Sequence, residues 1–198
     1  MFFNGYFGLQ DSVIAVTLAA MVVSTVRKQP TDSTYWIPFT MLSVLRLLSG
    51  AAVMLVSLLL PLRQDNELYY AVSTAGMVLT LTGAFFFFGA KAPASQIIRT
   101  GGEEGPELSP SGLYRFCRHP LFFGFILISA GVVADFASPA GTVVYAAVFV
   151  PVMLISARDM DRYWASRTGH GYTQYAEQVN RLLPSRRRSW KRAGDRVV

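Results

Sequence analysis

Charge is scarce in this sequence. Charged residues make up 15% of the 198 positions and hydrophobic residues 52%, where soluble domains carry about 25% charged residues. That scarcity excludes an ordinary soluble globule. The apolar content excludes a disordered chain, which needs high charge and few apolar residues. Cysteine occurs once, which excludes a disulfide framework and a four-thiolate zinc site. Two histidines add little material for any transition-metal site. The length is that of a single domain, residues 1–198.

Long apolar runs are what the sequence has in plenty. A bilayer-crossing helix needs about 20 mainly apolar residues. Five segments meet or approach that requirement: 5–26, 36–62, 68–90, 121–134 and 139–157. The fold class they predict is all-α, a polytopic membrane helical bundle of five transmembrane helices. A C-terminal cytoplasmic amphipathic helical tail, 158–198, follows. The first segment lacks a basic start and a clear cleavage site, so it reads as a span, not a removed signal peptide. Only Asp135, Phe136, Ala137 and Ser138 separate the last two spans, which predicts a tight helical hairpin.

The basic residues give an orientation. Residues 1–157 hold eight basic and eight acidic side chains, whereas 158–198 hold ten basic and four acidic. With the C-terminus inside, Arg27, Lys28, Lys91, Arg99, Arg115, Arg118 and the ten basic tail residues fall inside, and Arg63 alone falls outside. Cytoplasmic loops attract Lys and Arg, so the N-terminus is expected outside and the C-terminus in the cytoplasm. The basic tail beside so much apolar sequence points to anionic lipid as its partner, not nucleic acid. Arg46 stands alone, about 15 Å into the second span at helical rise. It reads equally as a partner for a buried carbonyl or as a substrate contact.

The connection from Lys91 to Arg118 is long. Its glycine-rich middle, Gly101 to Gly112, matches no phosphate-binding pattern. It reads as a flexible connector, with a functional lid as the alternative. Beyond it comes the most informative run, Tyr114-Arg115-Phe116-Cys117-Arg118-His119-Pro120-Leu121-Phe122-Phe123-Gly124. Proline disfavours helix at the residue before it and suits the first helical position. His119 is therefore expected extended, with Pro120 opening a helix. The free N–H groups of that start, together with Arg115 and Arg118, make an anion-receptive corner. Cys117 reads as a small buried filler.

A second informative run follows the fifth span. Arg158, Asp161 and Trp164 recur every three residues and share a helix face, so Arg158 and Asp161 are placed to pair. Gly169 and Gly171 are expected to break this helix. Tyr172, Tyr175 and Val179 then line one face of a second short helix, before Arg181-Leu182-Leu183-Pro184.

Together these runs resemble the isoprenylcysteine carboxyl methyltransferase family. The pattern is Arg-His-Pro-x-aromatic-x-Gly opening a membrane helix, then an acidic pair, Gly-x-x-Tyr-x-x-Tyr and a terminal Leu-Pro. The resemblance covers about 108–184. It implies a small membrane helical bundle that binds S-adenosyl-L-methionine on the cytoplasmic side and takes a lipophilic methyl acceptor from the bilayer. It further implies Tyr114, His119, Pro120 and Phe122 as cofactor contacts, with Leu108, Ser109 and Gln96 as further ones. The family's two glutamates fall on Met160 and Asp161, so one carboxylate, Asp161, remains for the cofactor. Arg118, His119 and Asp161 are the candidate positioning residues, and Arg158 and Arg46 the candidate acceptor contacts.

The resemblance makes an isoprenylcysteine carboxylate the leading acceptor. A phospholipid amine or a small thiol is the first alternative. An NADPH-dependent sterol reductase shares an Arg-His-Pro or Ser-His-Pro start, but Leu121-Phe122 stand where that group continues differently. A non-catalytic membrane scaffold is the third reading.

Overall fold

The computed structural model describes residues 41–61, 67–91, 98–101 and 105–184. The predicted span 5–26, residues 36–40 of the second span, Gln96 and the tail beyond 184 lie outside the described residues. In chain order the elements are helix α1 (Met41–Leu59), helix α2 (Glu67–Lys91), strands β1 (Ile98–Gly101) and β2 (Gly105–Leu108), and a 3₁₀ turn at Gly112–Arg115. Helix α3 (Pro120–Asp135) and helix α4 (Pro139–Val144) follow. A π-helical turn, Tyr145–Phe149, leads into α5 (Val150–Thr168), and α6 (His170–Gln178) ends the series.

Local chemistry explains several boundaries. Glu67 sits in the first turn of α2 and Lys91 in its last, each favoured by the helix dipole. Pro120 opens α3 as its spacing requires. Ser138 caps α4 by accepting from the Gly141 N–H at 3.1 Å, with Pro139 at the first helical position. Ala137, at φ 44°, makes the sharp turn between these two helices.

The architecture is helical as expected, with one addition, a two-stranded antiparallel hairpin in which Ile98 faces Leu108 and Gly101 faces Gly105. Strands of four residues containing Pro106 and Glu107 show no apolar alternation, so only their turn residues were legible. The fifth apolar segment and the Arg158–Trp164 stretch form one continuous helix to Thr168, since nothing between Ala157 and Thr168 breaks it. The break comes at Gly169, which has φ +56°, a left-handed value that glycine adopts readily. Gly171, expected to help the break, is helical within α6.

The chain divides into two compact units, Met1–Thr82 with Leu127–Met153, and Gly83–Ile126 with Leu154–Val198. In the first, α1 packs on α4 and on the π turn, and Val53, Ile128, Val132 and Phe149 fill the core. Gly76 and Gly131 meet across α2 and α3. A Cβ on Gly131 would stand 2.5 Å from the Gly76 carbonyl oxygen, and one on Gly76 2.8 Å from the Gly131 carbonyl. The Tyr69 hydroxyl donates to the Asp135 carbonyl at 2.9 Å, and Ser73 Oγ to Asp135 Oδ1 at 2.6 Å. Buried polar groups in apolar surroundings need such partners.

In the second unit, Phe86 meets Phe123 and Phe87 meets Phe125 edge-on, with centroids 4.9 and 5.0 Å apart. Phe87, Phe122, Ala157, Met160, Trp164, Tyr172, Tyr175 and Val179 are among its buried apolar groups.

Among the described residues, two helices are long and apolar enough to cross a membrane, Glu67–Lys91 and Pro139–Ser166. The apolar stretches Leu48–Leu59 and Pro120–Asp135 are shorter. Leu48, Leu55, Leu58 and Leu59 on α1, Leu68, Val78, Leu81 and Phe85 on α2, and Val143, Val148 and Ile155 on the α4–α5 helix are all exposed.

Candidate functional site

Within the second unit one carboxylate collects four donors. Asp161, on the buried face of α5, accepts at Oδ1 from His119 Nε2 at 2.7 Å and from the Tyr172 hydroxyl at 2.6 Å. At Oδ2 it accepts from Arg118 Nη1 at 3.0 Å and from Arg181 Nε at 2.7 Å. The donors come from the segment leading into α3, from α6 and from the chain after α6. The Arg158 pairing expected from one-turn spacing does not form, because Arg158 is exposed while Asp161 faces inward. Asp159 is exposed as well.

The local fold delivers these groups. His119 is non-helical ahead of Pro120, as expected. After α6 the chain runs beside the segment ahead of α3 as a strap: Arg118 N–H donates to the Asn180 carbonyl at 2.9 Å and His119 N–H to the Arg181 carbonyl at 3.0 Å. The Cys117 thiol donates to the Leu182 carbonyl at 2.8 Å. Tyr175, fully buried on α6, donates its hydroxyl to the Tyr114 carbonyl at 2.6 Å. The His119 ring stacks on Phe122, with centroids 5.5 Å apart.

Burial alone would push the Asp161 carboxyl up. The His119 hydrogen bond and those from Tyr172 and Arg181 outweigh it and hold the group well below the usual carboxylate range. Burial pulls His119 below its ordinary value despite Asp161, so the ring is neutral and Nε2 carries the proton it donates. Burial pushes the Cys117 thiol up to about 12, which makes it an inert filler and not a nucleophile. Tyr114 is likewise pushed up to about 12 by burial and then by Cys117. Burial and the Asp161 bond raise Tyr172 further.

Of the predicted site residues, Arg118, His119 and Asp161 come together, with Pro120 and Phe122 beside them. Tyr114 joins through its carbonyl. Leu108 and Ser109 are half-buried at the end of β2. Arg46 is on α1 in the other unit, where its carbonyl accepts from Ser49 Oγ. Gln96 lies outside the described residues. Sequence reasoning gave Tyr172 and Arg181 no site role. Their place in the tyrosine–Leu-Pro pattern of the tail was the available signal.

A helical protein with an inward carboxylate holding two arginines and a histidine is the class these observations define. The chain belongs to the family described as "protein of unknown function (DUF1295)", which it matches over residues 12–161. Its relatives include methanethiol S-methyltransferase 1 of Bradyrhizobium diazoefficiens, 32% identical over 126 residues, 59% of this chain and 41% of that protein. Two rice proteins, from Oryza sativa subsp. indica and subsp. japonica, are each named probable protein-S-isoprenylcysteine O-methyltransferase. Both are 27% identical over 120 residues, 59% of this chain and 63% of theirs. The chain thus spans less than two thirds of the length of these curated relatives. No solved structure matches it. The resemblance first read from Arg118 to Gly124 is borne out by these matches.

Proposed function

We propose that this chain is an integral membrane methyltransferase that uses S-adenosyl-L-methionine, with an isoprenylcysteine carboxylate as its leading acceptor. The observation that carries the reading is the Arg118–His119–Asp161–Tyr172–Arg181 cluster. It gathers a polar site at the ends of helices whose other faces are apolar and exposed. Such a site serves a water-soluble cofactor and a membrane-dissolved acceptor at once. The N-terminus faces outside and the site faces the cytoplasm, where the basic residues gather.

The residues fit the cofactor in one testable respect. Arg118 Nε is buried and has no hydrogen-bond partner among the described residues. A buried donor left unpaired costs about 1–3 kcal/mol, and the carboxylate of S-adenosylmethionine would satisfy it. Arg118, His119 and Phe122 would hold the cofactor, with Tyr114, Leu108, Ser109 and Pro120 around them. When bound, it supplies an electrophilic methyl group. Asp161 positions its neighbours: its two oxygens already take two donors each. Catalysis then rests largely on holding two reactants in near-attack geometry.

A small-thiol acceptor is the second reading, favoured by the relative named methanethiol S-methyltransferase 1. The test is transfer of labelled methyl from S-adenosylmethionine to prenylcysteine, phosphatidylethanolamine and short thiols. Thermal stabilisation by S-adenosylhomocysteine against NADPH runs beside it. Stabilisation by NADPH alone, or by neither, would overturn the methyltransferase reading.

A further inference from the structure

We propose that Arg181 receives the anionic end of the methyl acceptor. The inference rests on the methyltransferase reading and adds a residue and a substrate charge to the same site. Charge balance comes first. Arg118 and Arg181 share one carboxylate oxygen, Asp161 Oδ2, and His119 is buried and neutral. The cluster therefore holds one surplus positive charge.

Position comes second. The Arg118 and Asp161 side chains are 11% and 12% exposed, whereas Arg181 is 40% exposed. The surplus charge meets a ligand through Arg181.

Orientation comes third. Asp161 engages Arg181 through Nε. A guanidinium is planar, so fixing Nε fixes the direction of both Nη groups. The Arg181 backbone is held too, its carbonyl accepting from the His119 N–H. An arginine ordered in advance loses little further freedom on binding an anion.

Both acceptor classes react as anions. A carboxylate is one already. A thiol first releases its proton to solvent, and a fixed positive charge favours the thiolate. The anion's lone pair then forms the new bond to the methyl carbon. The methyl–sulfonium bond breaks, and its electron pair stays with the cofactor sulfur. Acceptor charge is lost as this proceeds, so Arg181 aids acceptor binding and ionisation more than the transfer step. Among the described residues, the charged and titratable groups linked to it are Cys117 and His119 ahead of α3 and Asp161 on α5, with Arg118 and Tyr172 bound to the same carboxylate.

The experiment compares the full-length, detergent-purified protein with Arg181→Gln and Arg181→Lys. The probes are N-acetyl-S-farnesylcysteine and hexanethiol. Acceptor KM and kcat, direct binding of farnesylcysteine without cofactor, and S-adenosylhomocysteine Kd are measured. Arg181→Gln is expected to raise KM about tenfold or more and to weaken farnesylcysteine binding by a similar factor. Saturated kcat and the S-adenosylhomocysteine Kd stay within about twofold. With hexanethiol, the kcat/KM profile moves to higher pH. Arg181→Lys keeps the charge, falls between the two, and covers the case in which the glutamine variant does not fold. Unchanged acceptor binding would overturn the inference, as would an equal loss of cofactor affinity. A wild type that transfers no methyl group sinks the earlier reading instead, and farnesylcysteine binding still decides the role of Arg181.

Discussion

Arg118 and Arg181, 63 positions apart, donate to the same oxygen, Oδ2 of Asp161, at 3.0 and 2.7 Å. Like charges this close persist only because the carboxylate lies between them and stays ionised. The arrangement makes Asp161 the tie between the segment before α3, helix α6 and the strap that follows it.

Asp161→Ala removes that tie and leaves Arg118 nearly buried without its counter-charge. Breaking a buried pair from one side costs about 3–5 kcal/mol. Thermal unfolding in detergent should show a loss of that order. Asp161→Asn, which keeps an acceptor oxygen, should lose less. Equal stability of the alanine variant and wild type would remove Asp161 from its organising role.

Acid should destabilise the protein in two stages. The His119 value lies below its ordinary 6.5, so the unfolded chain takes up a proton that the folded chain refuses. Stability is full above about pH 6.5 and falls as pH drops below it. The Asp161 value also lies below its ordinary 3.8, so a second loss begins near pH 4 and deepens on further acidification. His119→Gln should abolish the upper stage and spare the lower one. Chemical denaturation at pH 7.5, 5.5 and 4 measures both.

Tyr175→Phe deletes one hydroxyl and leaves the Tyr114 carbonyl without its 2.6 Å donor. The expected cost is about 1–3 kcal/mol. Faster hydrogen exchange is expected across Gly112–Arg115 and α6, read by mass spectrometry. Unaltered exchange there would show that α6 is held by apolar contact alone.

Gly131→Ala puts a methyl group 2.5 Å from the Gly76 carbonyl oxygen and 2.9 Å from the Thr80 nitrogen. Both neighbours are backbone, so α2 and α3 must separate. A loss of about 1–3 kcal/mol is expected, and Gly76→Ala should do the same. An alanine variant as stable as wild type would show that the helices have room to spare.

The sequence disclosed what local chemistry decides. Pro120 and Pro139 mark helix starts in any context, and the three-and-four spacing of Tyr172, Tyr175 and Val179 marks a buried face. The Asp161 partners were not legible, because Arg118 and Arg181 stand 43 and 20 positions from it. Arg158 had the better local spacing. It lost because Asp161 shares the inward face with Ala157 and Trp164, and Arg158 does not. The hairpin escaped because cross-strand pairing, not side-chain alternation, is what holds Ile98–Gly101 to Gly105–Leu108.

The strap has a consequence for biosynthesis. Asn180, Arg181 and Leu182 are made after every described helix, yet they complete the hydrogen bonding of Cys117, Arg118 and His119. A chain ending at Gln178 would carry the sequence of every described helix and still lack these three partners. The cluster can close only after residue 182 has been made, so a product truncated before it leaves the Cys117 thiol and the Arg118 and His119 N–H groups without the acceptors they have here.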